Sequence, residues 1–259
     1  MVDFSNENVI HVKNGNVQYI QFRRFLKYKD TITHGFTLKN LNFKDINECK
    51  EDYLKLCSEL NLDFNKVIRP KQNHTDVVEI VKYGNVSEDF IDVDGLVTDV
   101  KSVALSLVYA DCTALLMYDP VKNVIANVHS GWRGTVQKIG KIAVEKMVEK
   151  YNCNPKDIIC CICPTIRACH FQVEEDVKEI FMKAFSDESI ITDDGIADGK
   201  QKYKIDAVSA NIKMLKKCGL LPENIIDSGI CTVCNSDYFH SYRAHREKTG
   251  RNTAIISLK

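Results

Sequence analysis

Residues 109–135 read YADCTALLMYDPVKNVIANVHSGWRGT, and where polar residues fall in this stretch decides how the chain folds. Val103–Tyr109, Ala114–Tyr118 and Asn123–Val128 are short apolar runs bounded by turn residues such as Asp119-Pro120. Runs of that length favour strands over helices. From Thr135 to Tyr151 the period lengthens. Val136, Ile139, Ala143 and Met147 share one helical face, while Lys138, Lys141, Glu145 and Glu149 lie mostly elsewhere. Reactive residues therefore gather at strand ends, Asp111 and Cys112 at one junction, His129 and Arg133 at another. Loops carried by a packed scaffold are where chemistry is usually held.

Outward from this block the pattern is mixed. Residues 1–33 alternate, as in Val17–Phe22, and are expected to form hairpin strands; Gly35 would permit a turn beside His34. Asp45–Asn61 is helical in pattern, with Ile46, Cys49, Tyr53, Leu54 and Cys57 at helix spacing. Val67-Ile68 and Val77–Val81 are strand-like and bracket Lys71-Gln72-Asn73-His74-Thr75, and the acidic stretch Tyr83–Gly95 reads as an exposed connection. Downstream, Ile158–Cys163 is a buried-strand candidate and Val173–Phe185 an amphipathic helix. Ser186–Gln201 is polar and is expected to be a mobile loop. Asp206–Cys218 is a helix stopped by Gly219. Ile225–Ile230 and Ala254–Leu258 are strands. With no repeat of 20–50 residues and no Pro/Ser linker, residues 1–259 are expected to form a single domain. Irregular mixing of strands and helices argues for α+β, a mixed β-sheet core flanked by helices.

The 259 residues carry 44% hydrophobic and 27% charged side chains, enough for a substantial core. Lys plus Arg equals Asp plus Glu at 35 each, so no global field favours nucleic acid or a membrane. No apolar run reaches transmembrane length and none follows a basic N-terminal segment. Eleven cysteines, an odd count, point to free thiols in a reducing compartment. The expectation is a cytoplasmic protein.

His74, Cys112 and His129 each end a strand-like run. Two imidazoles and a thiolate suit Zn²⁺ or copper, and three protein ligands leave a fourth position for water or substrate. Separations of 38 and 17 residues form no short metal motif, so spacing alone leaves these as ordinary core or surface residues.

The surrounding words add to this. KQNHTDVV, DGLVT, YADCTALLMYDP, NVHSGWRG and the terminal CT…FHSYR…TGR together resemble the laccase-domain, or polyphenol oxidase, family (YfiH-like), which includes purine nucleoside phosphorylases of the laccase-domain type. The resemblance runs from about His34 to Arg251. It implies an α+β fold shared with a cysteine deamidase toxin, and a zinc ion bound by His74, Cys112 and His129. It also implies phosphorolysis of adenosine, inosine, guanosine and methylthioadenosine, and hydrolytic deamination of adenosine. The partners implied are a purine nucleoside and phosphate, with no nucleic acid and no membrane. Substrate contacts are expected at His34, Tyr242 and Arg243. Arg133, with the amides of Gly131–Gly134 at a helix start, suits an anion. Cys112 and Asp111 complete the catalytic candidates, Asp111 as a base or as a residue orienting a ligand. The chain departs from the family pattern at Thr75, at Thr37-Leu38-Lys39 and at Cys163-Pro164-Thr165-Ile166; Lys39 lacks the planar fork of an arginine.

Three other readings stand beside this one. Cys112 with His129 would serve an amidase acting on peptidoglycan precursors, given a depressed thiol pKa. A single copper would serve a polyphenol oxidase, although seven histidines are too few for a multicopper relay. A purely structural metal would make the protein a binding module. Cys160-x-x-Cys163 and Cys231-x-x-Cys234 imitate a four-cysteine zinc site, but alternate strand residues face opposite ways, so buried reduced thiols are expected instead. His170 and His240, single histidines near aromatic residues, are read as packing or surface hydrogen-bonding residues.

Overall fold

Thr113–Asp119 and Val124–Ser130 form an antiparallel pair in which every residue is buried, and their alternation sorts side chains into two cores. Leu115, Met117, Ala126 and Val128 face one side, and Ala114, Leu116, Tyr118 and Ile125 the other. This computed structural model describes residues 2–45, 48–86 and 88–259. Its strands in chain order are β1 (Val9–Asn14), β2 (Val17–Phe22), β3 (Ile32–Thr37), β4 (Val67–Ile68), β5 (Val78–Ile80) and β6 (Gly95–Thr98). Then come β7 (Ala104–Tyr109), β8 (Thr113–Asp119), β9 (Val124–Ser130), β10 (Ile159–Ile162) and β11 (Gln172–Val173). The last are β12 (Ile191–Ala197), β13 (Lys200–Ile205), β14 (Ile225–Asp227) and β15 (Asn252–Leu258). The helices are α1 (Arg23–Leu26), α2 (Lys50–Leu60), α3 (Trp132–Val136), α4 (Ile139–Tyr151), α5 (Glu175–Phe185), α6 (Ala207–Lys217) and α7 (Tyr242–His245).

Two mixed six-stranded sheets, ordered β1-β2-β3-β15-β7-β4 and β14-β10-β8-β9-β6-β5, share a core. Phe22, Phe36, Leu105, Leu107 and Ile256 of the first meet Leu96, Leu116, Tyr118 and Ile125 of the second. Helices cover the outer faces. On the first sheet Tyr53, Leu56 and Leu60 of α2 pack against Val17, Tyr19 and Ile255. On the second, Ala143, Val144 and Met147 of α4 and Val208 and Leu215 of α6 pack against Leu115, Met117 and Val128. The layer order is helix, sheet, sheet, helix. Each fully buried Leu or Ile contributes about 1.5–3 kcal/mol by leaving water, and truncating one to Ala costs about 2–5 kcal/mol. Asn127 ties the sheets together beneath the site. Its Nδ2 donates to Leu105 (3.1 Å) and Ala254 (2.8 Å) carbonyls, and its Oδ1 accepts from Tyr109 Oη at 2.8 Å.

Four local expectations change. The helix read from Thr135 to Tyr151 is two helices, because Lys138 (φ 64°) turns the chain between them. The first turn stays tied to β9, with Thr135 Oγ1 2.8 Å from Ser130 Oγ, while α4 lies along the second sheet. Ser186–Gln201 is not a loop: β12 and β13 form a hairpin, and β11-β13-β12 is a third small sheet. Asp198 (φ 53°) and Gly199 (φ 71°) close that hairpin with the left-handed pair that two-residue turns require. The helix expected from Asp45 begins at Lys50, and Ile46 lies outside the described residues, as does Ser87 within the acidic connection. Gly35 makes no turn but lies in β3, where an added Cβ would stand 3.2 Å from Tyr19 Cδ2. Among the described residues no helix is long and apolar enough to cross a membrane.

Candidate metal centre and pocket

Strand pairing assembles the three donors. Cys112 precedes β8, His129 lies on β9 opposite Ala114, and His74 sits on the loop between β4 and β5. His74 occupies the left-handed region (φ 58°) and Asp111 does too (φ 83°), conformations that cost a non-glycine residue about 1 kcal/mol or more. The ligand atoms of His74, Cys112 and His129 lie within 4.8 Å of one another, with Cys112 Sγ 3.9 Å from His74 Nε2. Around a tetrahedral zinc, sulfur and nitrogen donors stand about 3.6 Å apart, so the set fits a metal with little movement. His129 is buried, Cys112 half-buried and His74 exposed, which leaves the cluster open on one side.

Asp94 organises the cluster and was assigned no role from sequence. It is fully buried, immediately before β6, where β6 pairs antiparallel with β9. Its Oδ1 lies 2.6 Å from His129 Nδ1, directing Nε2 toward the cluster. The same carboxylate accepts from the amides of Asn73, His74 and Thr75 and from Thr75 Oγ1 at 2.8–3.1 Å. One carboxylate therefore sets both the ring of His129 and the loop of His74. The signal was present in the DGLVT segment, but only the β6–β9 pairing brings its aspartate beside a histidine.

The charges are coupled. Burial pushes the Asp94 carboxyl up, but the His129 ring and Thr75 donors outweigh it and hold it at about 2. Burial likewise raises the Cys112 thiol, yet the His129 and His74 imidazoles bring it down to about 6. Burial opposes a charged His129, but Cys112 and Asp94 lift it to about 9. A thiolate ready to bind a cation results. Gly131 leaves room for it: a Cβ there would lie 3.0 Å from His74 Cδ2 and 3.3 Å from Cys112 Sγ.

The donors open into a cavity of about 430 Å³, whose lining includes Trp132, Phe171, Tyr242, Arg133, Arg243 and Arg251. Arg133 is exposed and its guanidinium stacks 4.3 Å over the Trp132 ring. The helix that starts beside it has five residues, too short for a developed N-terminal dipole. Tyr242 is 40% exposed and donates to Glu247 at 2.8 Å. Arg243 spans the cavity wall, donating to the His170 and Gln172 carbonyls at 2.8 and 3.1 Å. Asp111 also borders the cavity, but both carboxylate oxygens are occupied. Oδ1 accepts from Thr232 Oγ1 at 2.6 Å, and Oδ2 from Ser241 Oγ at 3.0 Å and the Arg243 amide at 2.7 Å.

His34 is not brought to this site. It is 2% exposed between Phe22 and Phe25, and its Nε2 accepts from the Phe22 amide at 2.7 Å. Burial pulls its pKa down to about 3, so it is a neutral core residue. The expected substrate contact is replaced by packing. Phe171 and Arg251, given no role from sequence, line the cavity instead. A larger cavity of about 660 Å³ lies between α4, α5 and α6, lined by none of the three donors, and among the described residues it holds no cluster of metal donors.

This fold is that of YlmD from Geobacillus stearothermophilus, with a TM-score of 0.85, 23% identity, and coverage of 97% of this chain and 99% of that one. A purine nucleoside phosphorylase of Clostridium acetobutylicum is 30% identical over 249 residues, 94% of this chain and 100% of that protein. The purine nucleoside phosphorylase YlmD of Bacillus subtilis is 36% identical over 166 residues, 64% of this chain, and the match spans 59% of that relative's own length. An adenosine deaminase from an unknown prokaryotic organism is 30% identical over 213 residues, 80% of each chain. Residues 33–259 match the family described as multi-copper polyphenol oxidoreductase laccase, and the chain belongs to that family.

Proposed function

We propose that the protein is a zinc-dependent enzyme of purine nucleosides, foremost a phosphorylase and secondarily an adenosine deaminase. The observation that carries this reading is the convergence of His74, Cys112 and His129 on a cavity that offers aromatic rings and guanidinium groups together. A purine base is a flat π-system for Trp132, Phe171 or Tyr242 to pack against. Phosphate needs fixed cations, and Arg133, Arg243 and Arg251 line the cavity with no carboxylate on any of their guanidiniums among the contacts of the described residues, Arg243 being committed to the His170 and Gln172 carbonyls. When bound, the metal supplies Lewis acidity at the position that three protein ligands leave free. Cys112 carries the negative charge that holds the cation, Asp94 orients His129, and Asp111 positions the α7 segment bearing Tyr242 and Arg243. Zinc is favoured by the mixed imidazole and thiolate set, with a single copper as the other cation that suits it.

In phosphorolysis the C1′–N9 bond of adenosine breaks, an oxygen of hydrogen phosphate bonds to C1′, and adenine leaves with a nitrogen carrying the proton that the phosphate gives up. Incubation of adenosine with phosphate is expected to yield adenine and ribose 1-phosphate, and Arg133→Ala to raise the phosphate requirement about ten- to a hundredfold, the scale of a lost charge-assisted contact. Without phosphate, inosine and ammonia would mark deamination.

A second reading has its own observation. Cys112, His129 and Asp94 stand in the order of nucleophile, base and orienting carboxylate, with the thiol already depressed. An amidase built this way would cleave an amide such as a peptidoglycan precursor without phosphate, and would be inactivated by thiol alkylation in metal-free protein. Amide cleavage with no nucleoside product would overturn the purine reading.

A further inference from the structure

Of the eleven cysteines, three meet a histidine in a cluster separate from the donors described above. Cys169 and His170 lie on the loop after β10, and Cys231 and Cys234 on the turn after β14, sixty residues downstream. Their ligand atoms all fall within 4.8 Å of one another. Cys169 Sγ is 3.6 Å from Cys231 Sγ and 3.7 Å from Cys234 Sγ. His170 Nδ1 is 3.2, 3.5 and 3.8 Å from the sulfurs of Cys169, Cys234 and Cys231. Four donors around a tetrahedral zinc stand about 3.8 Å apart for two sulfurs and about 3.6 Å for sulfur and nitrogen. These separations differ from those edges by a few tenths of an ångström, and the sulfurs are too distant for a disulfide, which needs about 2.05 Å.

We propose that Cys169, His170, Cys231 and Cys234 form a second, structural zinc site. The site is closed, because four protein donors complete a tetrahedron and leave no position for substrate. Sequence spacing had set Cys231-x-x-Cys234 against Cys160-x-x-Cys163 and rejected the pair. Cys160 and Cys163 do face different cores, but the partners are Cys169 and His170, adjacent in sequence and therefore without a motif of their own.

Its position gives it a task. The neighbouring backbone already joins the two segments, with Thr165 and Cys231 in a parallel bridge. Between the donors and the cavity stands Arg243, which grips the carbonyl of His170. Phe171, next along the loop, lines the cavity. Metal at this site would fix one wall of the pocket without touching what binds there.

Metal analysis of the protein purified with zinc tests this. Wild type is expected to hold about two zinc equivalents per chain, and Cys112→Ala about one, bound by the four-donor cluster. Cys231→Ser/Cys234→Ser is expected to lose one equivalent and unfold at a lower temperature. Titration of metal-free Cys112→Ala with Co²⁺ should give the visible bands of tetrahedral cobalt with thiolate-to-metal charge transfer. Zinc-free Cys112→Ala with no cobalt–thiolate band would overturn the proposal, even if the double variant fails to fold. Loss of zinc from the first site alone would leave this one standing.

Discussion

Asp94 Oδ1 lies 2.6 Å from His129 Nδ1, while the same carboxylate caps the amides of Asn73, His74 and Thr75. Five donors converge on two oxygens, and among the described residues no acceptor faces them. Asp94→Asn would turn an NH₂ toward N–H groups, leaving buried donors unmet at about 1–3 kcal/mol. Zinc affinity is expected to fall about ten- to a hundredfold, as when a carboxylate behind a ligating histidine is removed. Chelator competition measures it. Unchanged affinity would mean that His129 does not depend on Asp94.

Gly131 has an ordinary φ of −63°, so its value is space rather than conformational freedom. Gly131→Ala would press a methyl group on His74 and Cys112. Overpacking of this kind costs about 1–3 kcal/mol, and the strain falls on the donors. Metal affinity should drop about tenfold or more. A variant that binds zinc like wild type would place the cluster further from Gly131 than 3.0 Å.

Asp111 separates two roles. Its three acceptor contacts hold the segment that carries Arg243, so Asp111→Asn is expected to lower stability by about 1–3 kcal/mol and raise KM. The pH profile of kcat should keep its shape. Disappearance of its acid limb would instead make Asp111 the general base.

His34 should give the protein acid lability. Its folded pKa of about 3 lies below the unfolded value near 6.5, so the unfolded chain takes up the proton first. Stability is complete above about pH 6.5 and is lost as pH falls toward about 3; at pH 5 the loss is about 2 kcal/mol. Protonating Nε2 would also break its bond from the Phe22 amide. Urea midpoints at pH 7 and 5 should differ in wild type and converge in His34→Gln. Equal sensitivity in both would assign the effect to other groups.

Much of the fold was legible because burial writes itself into period. The runs that became β7, β8 and β9 are continuous and apolar because both faces of each strand are covered. The helical stripe of Ile139, Ala143 and Met147 records the face of α4 that meets the second sheet, whereas Val136, read in the same stripe, lies on α3 and packs against another cluster. Cys112 and His129 were recognisable as polar residues ending apolar strands, and His74 as one between two. The β12–β13 hairpin was also written in the chain, in Asp198-Gly199, but its polarity outweighed that turn signal.

What local pattern could not decide was which strand ends meet. Asp94 becomes the partner of His129 only through the pairing of β6 with β9, and Cys169 reaches Cys231 only because β10 and β14 lie side by side. His34 shows the converse: a histidine beside a glycine reads as a site, yet β3 runs between β2 and β15 and buries its ring. Sequence by itself determined most of the elements, the α+β class and the donor types, because each depends on local period and side-chain chemistry. Tertiary structure alone decided which donors converge, because those contacts join residues far apart in the chain and leave no trace in the spacing of either partner.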